Sequence, residues 1–128
     1  LYERQIESTQ IEQALHHALA HNEMWLEYQP QYDQNGHIRA VEALIRWKNP
    51  NLGQVPPDRF IPISESNGTI VELGQFVIEQ VLKDMDYLKT ETNSNNISFS
   101  INISVRQFEQ NAFLDRLLTL LQQYDINR

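Results

Sequence analysis

Apolar and polar residues alternate in three segments of the chain with the period of two that is typical of β-strands. The first two segments run from Met24 to Tyr32 and from Ile38 to Trp47. In the third, Ile97 to Ser104, every odd position is large and apolar and every even position is small or polar. The Asn35-Gly36 pair between the first two segments is typical of a hairpin turn. We therefore predict that these two strands are antiparallel.

Capping boxes mark the starts of three predicted helices, since in each a Ser or Thr is followed three residues later by Glu or Gln. The boxes begin at Thr9, Thr69 and Ser104, and the first helix is predicted to end near His21. Each box precedes an apolar stripe with the spacing that packs a helix on a core. The stripes are Ile11, Leu15 and Leu19; Ile70, Leu73, Val77, Val81, Met85 and Leu88; and Phe113, Leu114, Leu117, Leu118, Leu121 and Tyr124.

The segment between the second strand and the long helix contains several helix and strand breakers. Proline and glycine between Pro50 and Pro57 predict a loop, and Asp58 to Ser66 is predicted to be a short helix that Gly68 closes. After the opening hairpin, helices and strands alternate, which is typical of an α/β protein with a parallel sheet. A β/α barrel needs roughly 250 residues, so 128 residues correspond to about half of one.

The composition and net charge of the chain exclude several protein classes and disfavour several binding partners. The chain is 41% hydrophobic and 21% charged, as in ordinary globular proteins, and it contains no cysteine. Disulfide scaffolds and thiolate metal sites are excluded, and no apolar run approaches the roughly 20 residues that span a bilayer. A net charge of −7 disfavours DNA, RNA and anionic membranes. We expect a cytoplasmic protein, or the cytoplasmic part of a membrane-anchored parent, in which any phosphate ligand is accompanied by a cation.

Strand alternation isolates two charged residues on one face of the second strand. The odd positions from 41 to 47 are apolar and share one face, so Glu42 and Arg46 share the other. They lie about 13 Å apart along the strand, which is too far for a direct pair. Glu42 therefore needs another cation, either from a structural ion pair or from a bound metal. Arg46 fits either a solvated arginine or a bidentate phosphate clamp.

Asn102 is the bulkiest polar residue on the even-numbered face of the third strand. Its amide fits either hydrogen bonds to neighbouring backbone or coordination of a hard metal ion through oxygen. His17 and His21 have a spacing that can hold zinc, but no third ligand is near in sequence. We therefore predict no metal site at these histidines.

Four segments of the chain carry motifs that occur together, in this order, in one protein family. They are Tyr28-Gln29-Pro30, Glu42 through Trp47, Pro57 through Gly68 with Phe60-Ile61-Pro62, and Ile101 through Gln107. In these motifs the chain resembles the EAL domain of cyclic di-GMP phosphodiesterases, from about residue 10 onward. The resemblance implies an α/β fold, the N-terminal half of a modified TIM (β/α)8 barrel whose first strand is antiparallel to the others.

The same resemblance implies a domain organisation and a set of site residues. Residues 10–128 would be the N-terminal half of an EAL domain, truncated before the fourth strand, and residues 1–9 a linker or helix from an upstream domain. The implied activity is metal-dependent hydrolysis of cyclic di-GMP to linear pGpG. Glu42 and Asn102 would ligate Mg²⁺ or Mn²⁺, Gln29 and Arg46 would contact the substrate, and Leu44 would line its pocket. Oxygen ligands suit a hard divalent ion, and arginine suits phosphate.

The chain lacks part of the family pattern. The family's further Glu residues, Asp-Asp pair and Lys belong to later strands, and the sequence contains no Asp-Asp. We therefore expect the chain alone to be inactive, and to self-associate through uncovered strand edges around Phe99 to Ile103. The alternative is a parent that is a non-catalytic cyclic di-GMP receptor or a protein-interaction domain. An upstream sensory or diguanylate-cyclase-like domain is a further expectation from the family.

Overall fold

The structure is a computed structural model that describes residues 2–92 and 97–101, together with Asp115, Leu118, Thr119 and Gln122, which are helical. Its elements are α1 (Tyr2–Ala18), β1 (Met24–Tyr32), β2 (Ile38–Asn49), β3 (Gly53–Val55), α2 (Pro57–Asn67), α3 (Ile70–Thr92) and β4 (Ser98–Ser100). No helix within the described ranges combines the length and apolar character that a membrane crossing requires.

β1 and β2 form the antiparallel hairpin that the sequence predicts. Asp33 stabilises its turn, because Oδ1 accepts hydrogen bonds from the backbone N–H of Asn35 at 2.8 Å and of His37 at 3.0 Å. Gly36 has a φ of 82°, a left-handed conformation that glycine adopts without steric cost. The predicted turn pair therefore closes the hairpin, with Asp33 as an additional anchor.

β4 pairs with β2 in parallel, and Val41 lies opposite Phe99. Two parallel strands need a crossover connection, which α2 and α3 provide. β1 is thus antiparallel to β2 while β4 is parallel to it, which confirms the predicted α/β fold with an antiparallel first strand. Of the predicted third strand, Ile97 and Ile101 flank β4, and residues 102–104 lie outside the described residues.

The end of α2 and the start of α3 lie at the predicted signals, and α2 begins one residue before the predicted start at Asp58. α2 starts at Pro57, in the first helical turn where a missing N–H costs nothing. It ends before Gly68, whose φ is 90° and whose N–H donates to the Ser64 carbonyl at 3.0 Å. α3 starts at Ile70, directly after the predicted cap Thr69.

α1 begins earlier than the predicted capping box. It starts at Tyr2 and ends at Ala18, whereas the sequence predicts a start at Thr9. The Thr9 hydroxyl donates to the carbonyl of Gln5 at 2.9 Å, so it is satisfied inside the helix and caps nothing. The prediction of a helix start at Thr9 is wrong, because a Thr hydroxyl can bond to a backbone carbonyl inside a helix as well as cap the first turn.

The predicted loop after β2 contains a short strand. β3 pairs antiparallel with the end of β2, and Val55 lies opposite Trp47. Asn49 Oδ1 shapes the connection by accepting hydrogen bonds from the backbone N–H of Asn51 at 2.9 Å and of Leu52 at 3.0 Å. The prediction of a loop throughout this segment is therefore wrong.

Two buried clusters lie on one face of the sheet, which we call the helix-covered face. The first joins α1, α2 and β3 around Trp47 and Phe60, both fully buried, whose rings meet edge to face at 5.4 Å between centroids. The second joins β2 to α3 through Ala43, Val77 and Val81. The sequence predicts that the apolar stripe of the last helix, Phe113 to Tyr124, packs on the core. Leu118 is the residue of this stripe that the structure describes, and it is 40% exposed instead of buried.

Candidate functional site

The residues predicted to carry chemistry on β2 lie opposite the two clusters. Ala43 and Trp47 are 6% and 0% exposed on the helix-covered face. Because side chains alternate along a strand, Glu42, Leu44 and Arg46 project to the other side, which we call the site face. Each of these three residues is half-buried. The prediction that Glu42 and Arg46 share the face opposite the odd-numbered positions of this strand is confirmed.

The register of the sheet brings two further polar residues beside Glu42. Gln29 on β1 is its direct partner on one side, and Ser100 on β4 is its partner on the other. Directly opposite residues on antiparallel strands have Cβ atoms about 4.5–5.5 Å apart. An amide, a carboxylate and a hydroxyl therefore form one row across three strands of the site face.

Arg46 forms an ion pair with Glu27, which lies on the neighbouring strand. Its Nε donates to Glu27 Oε1 at 2.9 Å. This hydrogen bond holds the pKa of Glu27 below its ordinary value, and an interaction with the Trp25 side chain acts in the same direction. The side chains are 26% exposed for Arg46 and 55% exposed for Glu27. Arg46 is thus held at the edge of the site face without being buried.

Sequence reasoning missed Glu27, although a signal for it exists. Glu27 lies directly opposite Leu44, and Trp25 lies directly opposite Arg46. Glu27 is therefore the diagonal neighbour of Arg46, at a distance that long side chains span. Counting residues back from the Asn35-Gly36 turn would have placed these opposite charges next to each other.

Leu44 and Arg46 also border a cavity of about 330 Å³ between β2 and the helices α2 and α3. Apolar residues form most of its wall, among them Ile61 and Val77. This cavity lies on the helix-covered side, whereas the side chain of Leu44 projects to the site face, so the expectation that Leu44 lines the substrate pocket stays a prediction.

The oxygen atoms along this row are of the kind that a divalent metal ion accepts as ligands. Glu42 brings a carboxylate oxygen, and Gln29 and Ser100 bring neutral oxygens, which are donors that hard divalent ions accept. Across residues 2–92 and 97–101, no group of three or more His, Cys, Asp or Glu is arranged to hold a metal. Asn102, the second predicted ligand, lies outside the described residues. These residues fit a partial coordination shell.

A family model described as the EAL domain matches residues 12–128. The cyclic di-GMP phosphodiesterase PdeR of Escherichia coli strain K12 is 33% identical over 94% of this chain and 18% of its own length. The bifunctional diguanylate cyclase/cyclic di-GMP phosphodiesterase MucR of Pseudomonas aeruginosa is 30% identical over 94% of this chain and 18% of its own length. The chain thus spans less than a quarter of these curated relatives.

Solved structures of EAL proteins are similar to this chain in fold. The PaMucR phosphodiesterase in its c-di-GMP complex superposes with a TM-score of 0.82 and 30% identity, covering 91% of this chain and 47% of that one. The EAL enzyme Bd1971 in its cAMP- and cyclic-di-GMP-bound form has a TM-score of 0.82 and 32% identity, covering 95% of this chain and 35% of that one. The family model that matches residues 12–128, together with these relatives and structures, shows that this chain belongs to the EAL domain family.

Proposed function

We propose that this chain is the N-terminal part of a phosphodiesterase domain that hydrolyses cyclic di-GMP to linear pGpG. The observation that carries the proposal is the row of Gln29, Glu42 and Ser100 across three strands, with Arg46 on the same face. Relatives such as PdeR and PA2567 are named as cyclic di-GMP phosphodiesterases. The row places a carboxylate next to neutral oxygens, as a phosphate-bound metal site requires.

Each residue of the site face has a proposed role. Glu42 and Asn102 ligate Mg²⁺ or Mn²⁺, which when bound supplies Lewis acidity and an activated water for phosphodiester cleavage. Arg46 binds a phosphate oxygen through its guanidinium, and Gln29 donates a hydrogen bond to the substrate. Leu44 provides an apolar contact. The chain carries a net charge of −7, so bound cation and arginine together offset its repulsion of a dinucleotide.

The proposed domain organisation assigns residues 10–128 to the N-terminal half of an EAL domain. Residues 1–9 belong to a linker or helix from an upstream sensory or diguanylate-cyclase-like domain. α1 runs without a break from Tyr2 to Ala18, which supports a continuous helical entry. The names of relatives such as MucR, of which this chain covers 18%, are compatible with this arrangement.

The 128-residue chain alone is proposed to be inactive, because its solved relatives are about two to three times as long. Product chromatography with Mg²⁺ or Mn²⁺ tests both statements. We expect the intact protein to convert cyclic di-GMP to pGpG and residues 1–128 to show no turnover. Turnover by residues 1–128 would contradict the proposed inactivity. If the intact protein binds cyclic di-GMP but does not hydrolyse it, the alternative is correct and the parent is a non-catalytic cyclic di-GMP receptor.

Uncovered strand edges are proposed to make residues 1–128 self-associate. The proposed contact is the edge of the third predicted strand around Phe99 to Ile103, and within the described part of the sheet its strand β4 pairs with β2 alone. An unpaired edge is a template for another strand. Light scattering at micromolar concentration should give a mass above 15.1 kDa for this chain. A monodisperse monomer would contradict this part of the proposal.

A further inference from the structure

The ion pair between Glu27 and Arg46 uses one particular edge of the guanidinium. The hydrogen bond runs from Nε to Glu27 Oε1 at 2.9 Å. A guanidinium carries five N–H donors in a planar fork. Because Glu27 takes Nε, the edge formed by the two terminal nitrogens is directed away from this bond. That edge matches a phosphate group in a bidentate contact.

The ion pair of Glu27 and Arg46 lies on the site face of the sheet. Glu27 precedes Gln29 by two residues on β1, so both side chains project to the same face. Trp25, 37% exposed, stands directly opposite Arg46 and interacts with the Glu27 carboxylate as well. The carboxylate is therefore held between an aromatic side chain and the arginine that the proposed function assigns to phosphate.

We propose that Glu27 is a positioning residue that orients Arg46 toward the phosphate of cyclic di-GMP, an inference that rests on the proposed function. An exposed pair of this kind adds little to folding stability. Its effect on binding is larger, because arginine loses rotamer freedom when it binds a ligand and Glu27 restricts that freedom beforehand. Glu27 itself makes no contact with the ligand.

Binding of cyclic di-GMP to the intact protein, with EDTA present to prevent hydrolysis, tests this role by calorimetry. We expect Glu27→Ala to raise the Kd roughly three- to tenfold. Glu27→Gln keeps an oxygen that accepts from Nε and should raise the Kd less than about twofold. Glu7→Ala is the matched control, because Glu7 forms a comparable exposed pair with Arg59 at 2.8 Å on the helical side. It should leave the Kd unchanged.

The Arg46→Ala background separates positioning from direct contact. If Glu27 acts through Arg46, Glu27→Ala should change the Kd of this variant no further. A persistent effect would show that Glu27 contacts the ligand, and unchanged or tighter binding by Glu27→Ala alone would also overturn the inference. Wild-type protein that neither binds cyclic di-GMP in EDTA nor hydrolyses it with Mg²⁺ would overturn the proposed function, and the inference with it. Thermal unfolding of each variant verifies that the fold is retained.

Discussion

The helix-covered face and the site face of the sheet come from the same strands, yet they carry different kinds of interaction. Trp47 and Ala43 are 0% and 6% exposed beneath the helices. Glu42 and Arg46, their immediate neighbours in sequence, are half-buried on the other side. Because side chains alternate strictly, a slip of one residue in the register of β2 would exchange the two sets. The register that builds the core is therefore also what assembles the site.

The contacts on the two faces differ in what they contribute. The helix-covered face holds the Trp47–Phe60 ring contact and a hydrogen bond from Tyr28 to Asp84, both away from the site. The site face holds a partly exposed ion pair, of a kind that adds little to stability. Substitutions on the first face should change the free energy of unfolding, and substitutions on the second should change activity or ligand affinity.

Trp47→Ala should give the largest effect of any single change. The side chain is 0% exposed, and its indole N–H donates to Glu23 Oε1 at 2.9 Å. Removing a buried aromatic costs about 3–5 kcal/mol of unfolding free energy. Denaturation by urea, followed by circular dichroism, measures this loss. Trp25→Ala is the matched control on the site face, where the side chain is 37% exposed, and it should cost about 0.5 kcal/mol. Equal losses would contradict the division between the faces.

Local signals explain what the sequence could predict. The hairpin follows from alternation and the Asn35-Gly36 turn, and the placement of Glu42 on the site face follows from alternation alone. The end of α2 follows from Gly68, because a C-cap acts within a few residues, and α3 starts directly after Thr69, as the predicted capping box indicates. Each of these features depends on residues that are close in sequence.

The features that sequence reasoning missed depend on contacts between distant residues. β3 has three residues, too few to show a period, and it exists because Val55 pairs with Trp47. The Glu27–Arg46 pair joins residues on separate strands, so it requires the register as well as the strands. The position of Asn102 lies outside the described residues, and its role as a metal ligand stays a prediction.

Glu42→Gln should give the next largest effect, and on activity rather than stability. The amide keeps the shape of the side chain but removes the charge that a divalent ion needs. We expect kcat/KM of the intact protein with Mg²⁺ to fall at least about 100-fold, equivalent to about 2.7 kcal/mol. Product chromatography measures the loss, and Glu12→Gln on the exposed side of α1 is the control. A destabilisation as large as that of Trp47→Ala would instead indicate a structural ion pair.

Tyr28→Phe should give a smaller effect, confined to the helix-covered face. The Tyr28 hydroxyl donates to Asp84 Oδ2, and Asp84 Oδ1 accepts from Gln80 at 3.1 Å. This network ties β1 to α3. Losing this half-buried hydrogen bond should cost about 1–1.5 kcal/mol at pH 8. Tyr32→Phe, at a residue that is 61% exposed, is the control and should leave the free energy of unfolding unchanged.

The pH dependence of this loss tests the same contact independently. The pKa of Tyr28 is raised well above its ordinary value of 10. Burial is the larger cause, and the hydrogen bond to Asp84 adds to it. Above about pH 10 the unfolded chain therefore loses this proton while the folded chain keeps it, so the stabilisation is complete below pH 10 and declines as pH rises, by at most about 1.4 kcal/mol per pH unit. Phenylalanine has no such proton. The difference in unfolding free energy between wild type and Tyr28→Phe should thus fall by more than half between pH 8 and 11. A constant difference would mean that Tyr28 titrates as an exposed phenol and that the helix-covered face is open there.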